Sequence, residues 1–206
     1  QSTAEKIMIS AKTNFKGDSI NNSVNKKFNN RISLRQINSS HSKIDIRIYK
    51  LSTLSNTKSL RRIFLADNTW KAKEYDEWNH PRSIKRYKLS ASQSLDSLIL
   101  KLLANNILTL PTQDSLKSRM KKFAGKVNEG YPVYSGMRVN DGNVYYIEIK
   151  IGDTFRVYEF ENPEKYSKYY HNIIEFKEYV NVVRVFDSFS NEIIPPNSEK
   201  YKQIIY

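Results

Sequence analysis

Hydrophobic and polar positions alternate most regularly between Asn140 and Pro163, in the stretch NDGNVYYIEIKIGDTFRVYEFENP. Asn140-Asp141-Gly142-Asn143 predicts a turn, because Asn, Asp and Gly tolerate positive φ. The β-branched and aromatic runs 144–151 and 155–160 predict two strands, and Gly152-Asp153 between them predicts a hairpin. Pairing chemistry favours a register with Ile149 opposite Phe155, Ile147 opposite Val157 and Glu148 opposite Arg156, since every pair is then compatible. A two-residue loop sets Lys150 against Phe155 and Ile149 against Arg156, which matches less well.

Upstream, IDIRIY at 44–49 alternates Ile44, Ile46 and Ile48 with Asp45, Arg47 and Tyr49, the pattern of a half-buried strand. Residues 61–66 and 70–78 predict a second hairpin around Asp67-Asn68. The pair His80-Pro81 closes it, because Pro cannot join a ladder, and 83–89 predicts a further strand. Leu95, Leu98, Ile99, Leu102, Leu103 and Ile107 form one helical stripe behind a Ser94 cap. Residues 113–126 read as a basic, partly helical segment, and 134–139 as a candidate strand. Asn162-Pro163-Glu164 predicts a helix start with an Asn cap. Helical periodicity continues to about Phe186, with a break near His171-Asn172, although 180–186 also suits a strand.

The first 43 residues carry their apolar side chains singly among Ser, Asn and Lys. They read as a polar basic arm with one short candidate strand, 6–10. Residues 44–190 read as a single domain, and 191–206, with Pro195-Pro196 and Ile204-Ile205-Tyr206, as a tail. Hairpins interspersed with two main helices predict an α+β fold: antiparallel sheet with both helices on one face, a two-layer sandwich.

Composition narrows the class. At 206 residues with 39% hydrophobic positions, the chain can bury a full core, and no apolar run is long enough to span a membrane. The absence of Cys removes disulfides, thiolate metal sites and a cysteine nucleophile, and suits an exported protein. Gln1 rather than Met opens the sequence, which leaves open a removed leader or a trimmed end. The net charge of +13 is uneven: residues 1–140 hold +16 and residues 141–206 hold −3. Such asymmetry fits a cationic face for an anionic polymer (nucleic acid, acidic glycan or lipid headgroups) and also fits a surface that is merely solubilising.

Candidate chemistry is thin. Asp141 with Glu148-Ile149-Lys150 has the outline of the PD-(D/E)xK nucleases, in which two carboxylates hold Mg²⁺ and a Lys positions water. Asp141 nevertheless lies in a turn without a preceding Pro, and Glu148 has a structural role opposite Arg156. The histidines stand singly at 41, 80 and 171, away from metal-ligand spacing. No G-x-S-x-G elbow and no glycine-rich phosphate loop occurs. Two basic groups interleave with aromatics: Arg82, Lys85, Arg86 and Lys88 around Tyr87, and Lys117, Arg119, Lys121 and Lys122 beside Phe123. Either group reads as a phosphate grip or, more simply, as a solvated face. The fourteen tyrosines fit carbohydrate or peptide stacking and fit core packing equally.

Leu110-Pro111-x-Gln113, Asp141-Gly142-x-x-Tyr145-x-Ile147-Glu148-Ile149, Gly152, Arg156-x-Tyr158 and Asn162-Pro163 together resemble small uncharacterised exported proteins of Bacteroidota. The resemblance implies export, whether periplasmic, surface-held or secreted, and assigns no activity or site residue. The expectation is a non-catalytic binding or interaction module without a cofactor, whose partner is an anionic polymer or another protein. A Mg²⁺-dependent nuclease is the enzymatic alternative.

Overall fold

The computed structural model describes residues 2–15, 17, 25–55, 57–79, 82–128, 131–137 and 139–193; within these, the side chains of residues 14, 79, 82, 122–127, 132–134, 192 and 193 are outside the description. The elements run α1 (Thr3–Asn14), α2 (Lys26–Arg31), β1 (Ile44–Ser52), β2 (Lys58–Ala66), β3 (Thr69–Asn79), β4 (Arg82–Ala91), α3 (Leu95–Ala104), β5 (Lys122–Asn128), β6 (Tyr131–Ser135), β7 (Asn143–Ile151), β8 (Thr154–Glu161), α4 (Pro163–Tyr169), α5 (Ile174–Asp187) and β9 (Phe189–Ile193), with short 3₁₀ turns at Ile37–Ser39 and Gln113–Leu116. Seven strands form one antiparallel sheet in the order β8-β7-β1-β2-β3-β4-β9, and β5-β6 pair separately. The α+β expectation holds, with α3 and α5 packed on one face. No helix among the described residues is long and apolar enough to cross a membrane.

The helix-side core takes the even positions of β1 and the odd positions of β7. Ile44, Ile46, Ile147 and Ile149 are all buried there with Leu98, Leu102 and Phe176 from the helices. Stacked rings, such as Phe160 against Tyr179 at 4.4 Å between centroids, extend it. Ser94 caps α3 through Ser97 N as its sequence predicts.

Several local expectations change. Residues 6–10 are not a strand but the middle of α1, which opens with a capping box: Ser2 Oγ accepts from Glu5 N, and Glu5 Oε2 accepts from Ser2 N. Ile7 from this helix is fully buried in the main core. A second cluster on the opposite face joins Phe28 and Ile32 to Tyr49, Leu60 and Tyr75. Residues 25–40 therefore cover part of the sheet's outer face. Within 113–126 a 3₁₀ turn is followed by strand β5, the predicted strand of 134–139 is β6 at Tyr131–Ser135, and 180–186 is helical. Phe189–Ile193 continues the chain into the sheet as an edge strand on β4. Residues 194–206, including Pro195-Pro196, and the His80-Pro81 pair lie outside the described residues.

The β7–β8 register is the two-residue one, with Lys150 opposite Phe155, Ile149 opposite Arg156 and Glu148 opposite Val157. Gly152 takes φ 60° at the first loop position, as such loops require. The deciding contacts lie outside the hairpin. This register sends Tyr158 and Phe160 into the core, while the Arg156 guanidinium leaves the strand to donate to Leu108 O and Leu110 O, each at 2.7 Å. The Asn140 turn depends on a close approach: a Cβ on Gly142 would fall 1.6 Å from Asn162 Oδ1. Asn162, at φ 43°, does not cap α4; its Oδ1 accepts from Asn143 N.

Candidate functional site

Strand β1 is not half-buried. Asp45, Arg47 and Tyr49 are as fully enclosed as the isoleucines on its other face. Residues 25–40 close over them, and a polar network replaces water. Asp45 Oδ1 accepts from Arg62 Nε at 2.8 Å, and Asp45 Oδ2 accepts from Arg47 Nη2 and Arg62 Nη2, both at 2.8 Å, and from Ser40 Oγ at 2.5 Å. Glu148 Oε2 lies 3.3 Å from Arg47 Nη1 and 2.9 Å from the Tyr49 hydroxyl, and Oε1 accepts from Asn25 Nδ2 at 3.3 Å. Every carboxylate oxygen in the network has a donor. Burial alone would raise Asp45, but Arg47 and Arg62 outweigh it and hold the carboxyl at about 2. Glu148, with the weaker contacts, is left above the usual carboxylate range by its burial.

This network corrects the role expected for Glu148. Its charge partner is Arg47, its direct neighbour across β1–β7, and not Arg156. Nor are the nuclease candidates brought together. Lys150 donates to Ser40 O at 2.5 Å, Glu148 is enclosed, and exposed Asp141 lies before β7, about 20 Å from Glu148 at the rise of an extended chain. No group of three or more His, Asp or Glu among the described residues is arranged to hold a metal ion.

The basic groups divide. On β4, Lys85 and Tyr87 face the helix side, opposite Asp76 and Glu74, while Arg86 and Lys88 face outward, opposite Tyr75 and Lys73. The Arg82 side chain lies outside the described residues. In the second group Lys117 pairs with Asp114 at 2.8 Å, and Arg119 grips Glu175 with two bonds of 2.5 and 2.8 Å. Lys121 is exposed, and Lys122 opens β5 with its side chain outside the description. Much of this group's charge is thus matched by acids.

A different site emerges where the helix layer stops. Beyond the C-terminal end of α5, the helix-side face of β1–β3 is uncovered and forms a half-open cleft of about 250 Å³, with Lys50, Arg61, Glu74, Asp76, Trp78 and Asp187 on its walls. Arg61 ties the helix end to the sheet: its Nη1 donates to Phe186 O at 2.7 Å and Asp187 Oδ1 at 2.8 Å, and its Nε donates to Glu74 Oε1 at 3.0 Å. A cation at this position also complements the helix dipole. Glu74 is 3% exposed, and its second oxygen, Oε2, has no donor. Asp76 stands two residues on, on the same face. Burial, the adjacent Glu74 charge and a hydrogen bond between the two carboxyls raise Asp76 to about 6, against the pull of Arg61 and Lys85. Trp78 closes the rim, 47% exposed, with Lys85 Nζ 5.8 Å from its ring centroid.

Sequence reasoning did not single out Glu74, Asp76 or Trp78. The signal was present as acids at i and i+2 followed by Trp at i+4, one face of a predicted strand. Compared with protein-family models, curated proteins and solved structures, the chain matches none.

Proposed function

We propose that the protein is a non-catalytic binding module whose ligand site is the Glu74–Asp76 cleft. The observation that carries this reading is Glu74 Oε2, a buried carboxylate oxygen with no donor on the wall of an open cleft. A buried acceptor left unmade costs about 1–3 kcal/mol, which a ligand's donor recovers. The non-catalytic part is supported by the dispersal of Asp141, Glu148 and Lys150. Export, whether to periplasm, surface or medium, is supported by a 206-residue chain without Cys and by the Bacteroidota resemblance. The test is a panel of small polar compounds read by Trp78 fluorescence in a Trp70→Phe protein. A saturable change that Glu74→Gln weakens is expected; a silent panel refutes the cleft as the site.

A second reading rests on the outer face of β3–β4. Lys73 lies directly opposite Lys88 there, beside Arg86, with Arg62 stacked on Phe64 at 3.9 Å. A cationic face with an aromatic ring beside it is the kind of surface on which an anionic polymer lies. Heparin retention that falls steeply with salt, and that Lys73→Gln/Lys88→Gln weakens, is its expected result. Elution near ordinary ionic strength refutes it.

A further inference from the structure

Protonated Asp76 hydrogen-bonds Glu74, and that bond is lost once Asp76 ionises. Arg61 is committed to Glu74 Oε1, Phe186 O and Asp187 Oδ1, so Glu74 Oε2 is left without a donor and Asp76 feels Arg61 and Lys85 only through space. Two adjacent carboxylates need either a proton or a cation between them. Among cations, a metal ion is poorly served, because no third His, Asp or Glu completes a ligand group among the described residues. An organic cation needs fewer ligands, and its apolar flank needs a wall. Trp78 supplies one, and Lys85 already demonstrates the chemistry by placing an ammonium near that ring.

We propose that the cleft binds an organic cation, an alkylammonium or guanidinium group, with Glu74 Oε2 and Asp76 as its acceptors and the Trp78 ring as its wall; this rests on reading the cleft as the ligand site. The groups facing Asp76 are Glu74 from its own strand, Arg61 from β2, Lys85 and Tyr87 from β4, Lys50 from β1 and Asp187 from the end of α5. Of these, Lys85 is the competitor, since it lies directly opposite Asp76 and over the same indole. The ligand also competes with the proton that Asp76 holds up to about pH 6. Binding therefore releases a proton near that pH, and affinity rises as Asp76 ionises.

The experiment titrates the Trp70→Phe protein with ethylguanidinium and butylammonium chlorides at constant ionic strength, reading Trp78 fluorescence at pH 7.5 and pH 5. Glucose and acetate serve as neutral and anionic probes. Saturable binding of either cation, about tenfold weaker at pH 5 for a single carboxyl titrating near 6, is the expected result. Asp76→Asn should lose that pH dependence and bind at least about tenfold more weakly at pH 7.5, while Lys85→Gln should bind more tightly at both. Glu74→Gln is the second acceptor variant should Asp76→Asn fold poorly. N-acetylarginine amide binding as well as ethylguanidinium points to a partner's side chain, and its exclusion points to a small free amine. A response to glucose or acetate but to neither cation overturns the organic-cation assignment and leaves the cleft reading intact. Silence toward every probe overturns both, and cation binding unchanged in Asp76→Asn overturns the assignment of its acceptors.

Discussion

The same sheet carries two carboxylate–arginine clusters on opposite faces, and they have opposite fates. On the outer face, Asp45 and Glu148 are shut in with Arg47 and Arg62, and every carboxylate oxygen has a donor. On the helix side, Glu74 and Asp76 share Arg61, and Glu74 Oε2 has none. One aspartate is consequently held near 2 and the other is raised to about 6. Burial pushes both upward; what separates them is that Arg47 and Arg62 hydrogen-bond Asp45 directly, whereas Arg61 and Lys85 act on Asp76 only through space and the Glu74 charge stands beside it. A cluster whose carboxylates are all served fixes the packing of residues 25–40 on the sheet. An undersatisfied one at an open edge has capacity left for a ligand.

The sharpest way to break the comparison is to remove Arg47. Arg47→Met leaves Asp45 and Glu148 enclosed with one fewer cation, and should cost about 3–5 kcal/mol in urea unfolding. Combining it with Asp45→Leu and Glu148→Leu should recover much of that loss, because an apolar cluster needs no counter-charge. Asp45 also sets an acid limit. Its folded value lies below the ordinary 3.8, so its contribution of about 2 kcal/mol is present above that pH and is lost as pH falls toward 2. Asp45→Asn should flatten the stability profile over that interval.

The cleft should respond with the reverse sign. Asp76 is raised from 3.8 to about 6, so the folded state binds the extra proton and stability declines as pH rises between those values. Asp76→Asn should stabilise the protein at pH 7, by about 1 kcal/mol once solvent screening is allowed for, and should give no gain at pH 3.5. Calorimetric melting at the two pH values checks this. Smallest is Trp78→Ala, which should shift stability by no more than about 0.5 kcal/mol, as befits a rim residue, while removing the fluorescence response to ligand.

Much of the scaffold is legible in the chain because it is locally encoded. Period-two alternation marks β1, the Leu95–Ile107 stripe marks α3, and Asp67-Asn68, with φ of 51° and 56°, makes the turn that a two-residue hairpin loop between β2 and β3 demands. Even α1 was written in Ser2-x-x-Glu5, though isolated apolar residues masked it. The β7–β8 register was misread because pair chemistry within one hairpin leaves out what Arg156, Tyr158 and Phe160 meet beyond it. The cleft went unread because its walls come from β1, β2, β3 and α5.

Sequence by itself determined which residues share a strand face or a helix stripe, since those periods follow from backbone geometry. Tertiary structure decided which polar faces see water. Asp45-x-Arg47-x-Tyr49 and Glu74-x-Asp76-x-Trp78 look alike as alternating polar positions. One is covered by residues 25–40, and the other is left open where α5 ends. Desolvation and Coulomb energy depend on neighbours brought from far along the chain, so the protonation and free binding capacity of each carboxylate were settled only on folding.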